Sequence, residues 1–279
     1  MPVENLPARP AENALPSGLP IVAWMLRQQR RPLVIWTVAV AAVSAIYASF
    51  YTVMDTGELE SLVEGMPEGL VTALGYDAIG SPAGYLESTV FGLLAPLLLL
   101  VFGLGLGARI VAGLEEDGTL ELELTHPVSR RRVILERYLA LVIQVIVLSA
   151  ATWLVVAAAV LAIDMDVSQG DLAATGLGLL LLTLALSSVA FAVGAATGRR
   201  VIALGAGAAV AVAAYLADAL APMLDDGRWL EAISPFSWYL GSEPLVNGID
   251  PLGFGALLVL SVLALAVAVV TFDRRDLGV

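Results

Sequence analysis

Across 279 residues the sequence has no cysteine, no lysine and one histidine, His126. The missing cysteine excludes a disulfide framework, a thiolate nucleophile and any cysteine-based metal site. A single histidine excludes multi-histidine metal centres, and no HExxH motif is present. Without lysine the chain cannot supply the phosphate-gripping lysine of a P-loop. Charge is scarce at 14% of residues, the balance is −12, and every basic residue is an arginine. Nothing in that pattern suits nucleic acid.

What is present is apolar. Hydrophobic residues make up 59% of the chain and the mean hydropathy is +0.88, against roughly 45 to 50% apolar residues in soluble domains. A helix needs about 20 largely apolar residues to cross a hydrocarbon core of about 30 Å. Six segments meet that length: 33–53, 90–111, 138–163, 172–197, 201–221 and 252–272. Between the fourth and fifth only Gly198, Arg199 and Arg200 interrupt. Two arginines at a helix centre would cost about 2.5 to 3.5 kcal/mol each, so they mark a turn at the surface. The sequence therefore predicts an all-α integral membrane protein of six transmembrane helices.

Orientation follows from the arginines, because short loops rich in them stay in the cytoplasm. Arg9, Arg27, Arg30 and Arg31 precede span one; Arg109, Arg130, Arg131, Arg132 and Arg137 lie around the loop from span two to span three. Arg199 and Arg200 join spans four and five, Arg274 and Arg275 follow span six, and only Arg228 falls on the other side. Both termini are thus expected in the cytoplasm, in the cell membrane of the source. Residues 1–18 read as a disordered tail and 19–279 as one six-helix domain. Span one is too long for a signal-peptide core and reads as uncleaved. Before it, Ile21, Val22, Met25 and Leu26 recur at helical spacing beside Trp24 and three arginines. That segment predicts an amphipathic interfacial helix that turns at Pro32 into span one, or else a frayed extension of the span. Residues 222–251, with Trp229, Trp238 and Tyr239, predict a surface or half-inserted helix or an ordered loop.

Chemistry is hard to assemble. Ion-coupled carriers place ionisable groups inside their spans. Here Glu87 and Asp218 sit at span ends and read as interfacial acids. Gln144, Ser149 and Thr152 in span three predict interhelical hydrogen bonds rather than a substrate site. No nucleophile and base pair with one another, since His126 lies in a loop away from Ser187 and Ser188. No catalytic residue, metal ligand or substrate contact is assigned. Glycines such as Gly103, Gly105, Gly107, Gly194, Gly198, Gly205 and Gly207 signal close helix packing.

The loop 112–137 is the most informative segment. Glu115, Glu116, Asp117 and Gly118 end span two, glycine being favoured just past a helix end. Thr119 to Leu124 alternate Thr, Leu, Glu, Leu, Glu, Leu. Alternation is a strand pattern, but a lone strand would leave its backbone unpaired, so a short helix is favoured, with Leu120 and Leu122 toward a protein surface. The alternative is a solvated acidic loop. Pro127 stops the piece and Ser129 is placed to cap the helix that begins at Arg130.

This loop resembles the type 2 family of ABC transporter permeases, whose motif runs glutamate, two residues, glycine, threonine, leucine and ends in Pro-Val-Ser-Arg. Glu115, Gly118, Thr119, Leu120, Pro127, Val128, Ser129 and Arg130 match it. Weaker echoes are Ser234, Pro235, Phe236, Tyr239, Pro244, Leu245 and Gly248 before span six, and Phe272, Arg274, Arg275, Asp276 and Leu277 at the tail. The resemblance implies the non-catalytic subunit of an exporter, with a second copy or close homologue beside it in the lipid. It also implies two cytoplasmic ATPase subunits, which bind the ATP and magnesium that this chain does not. The coupling residues it implies are Glu115, Glu116, Gly118, Thr119, Leu120, Leu122, Pro127, Ser129 and Arg130. The alternative from another class is a membrane anchor that recruits a cytoplasmic partner and moves no solute.

Overall fold

The structure is a computed structural model that describes residues 19–52, 63–73, 76, 79–116, 129–224 and 226–275. Six helices are long and apolar enough to span a membrane: Pro20–Phe50, Pro82–Gly113, Arg130–Ala162, Gln169–Thr197, Arg200–Met223 and Pro251–Arg274. They correspond one to one with the six apolar runs, and no strand occurs among the described residues.

Their ends are set by local chemistry. Ser129 caps span three, its Oγ accepting from the Arg132 N–H at 3.3 Å, and Ser168 caps span four by accepting from Asp171 at 3.4 Å. Asp250 caps span six by accepting from the N–H groups of Leu252 and Gly253, with Pro251 in the first turn. Each side chain satisfies donors that a helix start leaves unpaired. Span four stops at Gly198, which takes the left-handed conformation at φ +63°.

Span one departs from expectation. The boundary predicted at Pro32 is absent, and one helix runs from Pro20 to Phe50 with Pro32 inside it. Its 31 residues rise about 1.5 Å each, so it is longer than the roughly 30 Å hydrocarbon core requires. The extra turns are held from outside the helix. Val22 and Met25 are buried, and the Ile21 N–H donates to Glu136 Oε2 of span three at 3.0 Å. A buried carboxylate thus caps the positive end of a neighbouring helix. Pro32 lacks a donor and presses on the preceding turn, yet the helix continues through it.

Span four is the hub and packs against spans two, three, five and six, while span one packs chiefly on span three. Spans two and four approach each other closely. A Cβ added at Gly107 would lie 2.5 Å from the Ser187 carbonyl oxygen, so the backbones themselves are in contact there.

Span two carries two wide turns, Glu87–Leu94 and Arg109–Gly113, with i to i+5 bonding. The first precedes Pro96, which has no N–H and presses on the preceding turn. Ala95 bonds back to the Val90 carbonyl, so the donor next in register for Phe91 would be Pro96. The hydroxyl of Tyr239 donates to the Phe91 carbonyl instead, at 3.3 Å. Tyr239 belongs to Pro235–Leu240, which with Arg228–Ile233 and Pro244–Asn247 forms a run of short helices among the described residues of 222–251, where a surface or half-inserted helix or an ordered loop was expected. Of the residues singled out there, Ser234, Pro235, Phe236, Tyr239, Pro244 and Leu245 are buried. Ser234 donates to the Ala214 carbonyl of span five at 2.8 Å.

Gln144 and Thr152 of span three correct a further expectation, while Ser149 Oγ is buried with no hydrogen-bond partner among the described residues. Gln144 Nε2 donates to the Ala140 carbonyl and Thr152 Oγ1 to the Leu148 carbonyl, both one turn back in the same helix. Short polar side chains find a backbone acceptor in their own helix before reaching another. The polar bond between spans three and four is instead Tyr138 Oη to Ser188 Oγ at 2.9 Å.

Candidate functional site

The described residues that flank the loop fall at the end of the bundle where most arginines gather. Of the nine coupling residues, Glu115, Glu116, Ser129 and Arg130 are described; Gly118, Thr119, Leu120, Leu122 and Pro127 lie outside the described residues, as does His126. Glu115 and Arg130 meet at Arg275 of span six, Glu116 reaches the start of span five, and Ser129 caps span three.

Glu115 closes span two, where the negative end of the helix dipole opposes a carboxylate. It is compensated from span six: Arg275 Nη1 donates to Glu115 Oε2 at 3.0 Å and Nη2 to Oε1 at 2.5 Å. Two parallel donors to one carboxylate form the stronger, directional kind of ion pair. Glu116 reaches another helix, accepting from the backbone N–H of Arg200 at 2.9 Å. Span five has no side-chain cap of its own at Arg199, so Glu116 supplies its first turn with an acceptor and a favourable charge. Arg130 donates to the Arg275 carbonyl at 2.8 Å, and Arg131 pairs with Asp273 at 3.0 Å. That last pair is largely exposed and contributes little.

Two buried charges of span three were not read as functional from the sequence. Glu136, beyond capping span one, pairs with Arg132 at 2.7 Å. Arg137 is fully buried and donates to the Ile110 carbonyl at 3.0 Å, within the second wide turn of span two. Wide turns loosen the regular ladder, and a guanidinium is suited to such a carbonyl. The signal that could have found them is their spacing: an acid and a base adjacent in a helix that is otherwise entering an apolar run.

At the opposite end lies a cavity of about 790 Å³. Its lining includes Glu87, Asp218, Tyr215, Arg228, Glu231 and Glu243. Ser237 Oγ donates to Asp218 Oδ1 there, tying a short helix to span five. No three His, Cys, Asp or Glu residues gather as metal ligands among the described residues. At the arginine-rich end, by contrast, the pair of Arg275 with Glu115 joins two helix termini.

A family model described as ABC-2 family transporter protein matches residues 20–277. No curated protein matches the chain.

Proposed function

The chain belongs to the family of ABC-2 transporter proteins, and from that premise we propose that it is the permease subunit of an ATP-driven exporter, coupled through 112–137 to a separate cytoplasmic ATPase. The membership makes it a multi-pass membrane component of a transporter. The observation that carries the finer reading is the motif from Glu115 to Arg130, placed between spans two and three at the arginine-rich end. Arginine-rich short loops remain in the cytoplasm, where an ATPase has access to that loop. Both termini then lie on the same side. Two ATPase copies bind and hydrolyse ATP with magnesium; their movement pushes on the loop, and the helices switch between inward-open and outward-open states. A second permease, identical or closely homologous, completes the pathway in the lipid.

The absence of native cysteine gives a direct test of the sidedness this requires. Single substitutions Gln28→Cys, near the start of the first helix, and Asp166→Cys, between spans three and four, are both at exposed positions. In intact cells a membrane-impermeant maleimide is expected to label Asp166→Cys only, with Gln28→Cys reacting after permeabilisation. Labelling of Gln28→Cys from outside would place the loop beyond reach of ATP and end this reading.

A further inference from the structure

Arg275, the last described residue of the chain, is a meeting point of four helix ends. Its guanidinium takes both oxygens of Glu115 at the end of span two. Its Nη1 also approaches the Ala195 carbonyl, in the last turn of span four, at 3.4 Å. Its own carbonyl accepts from Arg130, in the first turn of span three, at 2.8 Å. Gly198 presents a bare Cα to the guanidinium, and a Cβ there would overlap Nη1 and Nη2.

This arrangement is specific to arginine. A fork of coplanar donors engages a carboxylate through two bonds and still offers a third contact, whereas a lysine ammonium is a point charge. The Glu115 and Arg275 side chains are 25% and 24% exposed, against 71% for Arg131 in its pair with Asp273. Screening by water is correspondingly smaller for the former. Glu115 also gains nothing from its own helix, because it stands at the negative end. Its place is explained by what it holds.

We propose that Arg275 is the positioning residue that fastens the motif-bearing end of span two to the ends of spans three, four and six, so that movement of the loop is passed to those helices together. The proposal rests on the permease reading. It differs from that reading in naming span six, rather than the loop alone, as part of the coupling path.

The test uses the full chain in lipid nanodiscs with the ATPase encoded by the neighbouring gene. Capture of the ATPase and its ATP turnover, relative to ATPase alone, are recorded for the parent chain, Arg275→Gln, Arg275→Lys, and the exchange of Glu115→Arg with Arg275→Glu. Arg275→Gln is expected to capture the ATPase as the parent does, while the permease-dependent change in turnover falls about fivefold or more, the low end of typical coupling between sites. The exchange restores most of that change, and Arg275→Lys is intermediate. Parent-like turnover in Arg275→Gln, or an exchange no better than the single variants, overturns the proposal. If Arg275→Gln is not recovered as a monodisperse protein, Arg275→Lys carries the same comparison. Failure of the parent chain to capture the ATPase overturns the permease reading itself, a result separable from any difference among the Arg275 variants.

Discussion

Gly107→Val is expected to abolish recovery of a monodisperse bundle from detergent, whereas Gly103→Ala survives with reduced thermal stability. Both glycines lie in span two against span four, but they meet different atoms. At Gly107 an added Cβ would stand 2.5 Å from the Ser187 carbonyl oxygen and 3.3 Å from the Phe191 nitrogen, both backbone. At Gly103 the nearest atom is the Ser187 hydroxyl oxygen, which can rotate away. Overpacking of a core costs about 1 to 3 kcal/mol when side chains absorb it. Here two helix backbones must separate, and span four carries the contacts of spans two, three, five and six. Size-exclusion profiles and melting in one detergent compare the two variants. A Gly107→Val protein that elutes and melts like the parent would show that these helices do not pack backbone to backbone.

Gly198→Val is expected, unlike Gly248→Val, to abolish the response of ATP turnover to the permease, while both variants lower the melting temperature. Both positions have positive φ, +63° and +77°. An L-residue forced into the left-handed region costs roughly 1 to 2 kcal/mol, and a β-branched one is the least tolerant. Gly198, at ψ +13°, lies in that region, while Gly248, at ψ −145°, lies in one nearly confined to glycine, so its backbone penalty is no smaller. They differ in surroundings: a Cβ at Gly248 meets only Asp171 Oδ1 at 3.3 Å, while at Gly198 it falls on the Arg275 guanidinium. Displacing Arg275 releases Glu115 at an unfavourable helix end. Equal losses of the turnover response in the two variants would mean that backbone strain alone is being measured.

The six spans were legible because each is a long apolar run, and hydropathy alone locates such runs. Their ends at the arginine-rich side were legible in part: span three begins at Arg130, where its cap places it, while the first helix begins at Pro20 as an extension of span one and not as a separate helix that turns at Pro32. Helices continue past the apolar region wherever caps and contacts support them, and Glu136 supplies one such contact to Ile21 from 115 residues away. Likewise Ser129 was recognisable as a cap from its position before Arg130, since capping is local. The partner of Glu115 was not, because Arg275 lies 160 residues further on and sequence spacing carries no record of that approach. Gln144 and Thr152 were misread as interhelical for a related reason: the nearest acceptor of each is one turn back in its own helix. The Pro96 and Tyr239 pair shows the converse. A proline within an apolar span signals an orphaned carbonyl, but only the fold shows which hydroxyl serves it.

The most direct test of the central claim is copurification of the detergent-solubilised chain with the ATPase of the neighbouring gene, with and without the loop 117–128 replaced by a glycine-serine linker. The intact chain is expected to hold the ATPase through size exclusion and to change its ATP turnover, and the linker variant, still folded and inserted, to do neither. A chain that purifies alone, or a linker variant that retains the ATPase and its turnover, would contradict coupling through this loop; the first result would leave membrane anchoring of some other partner as the function.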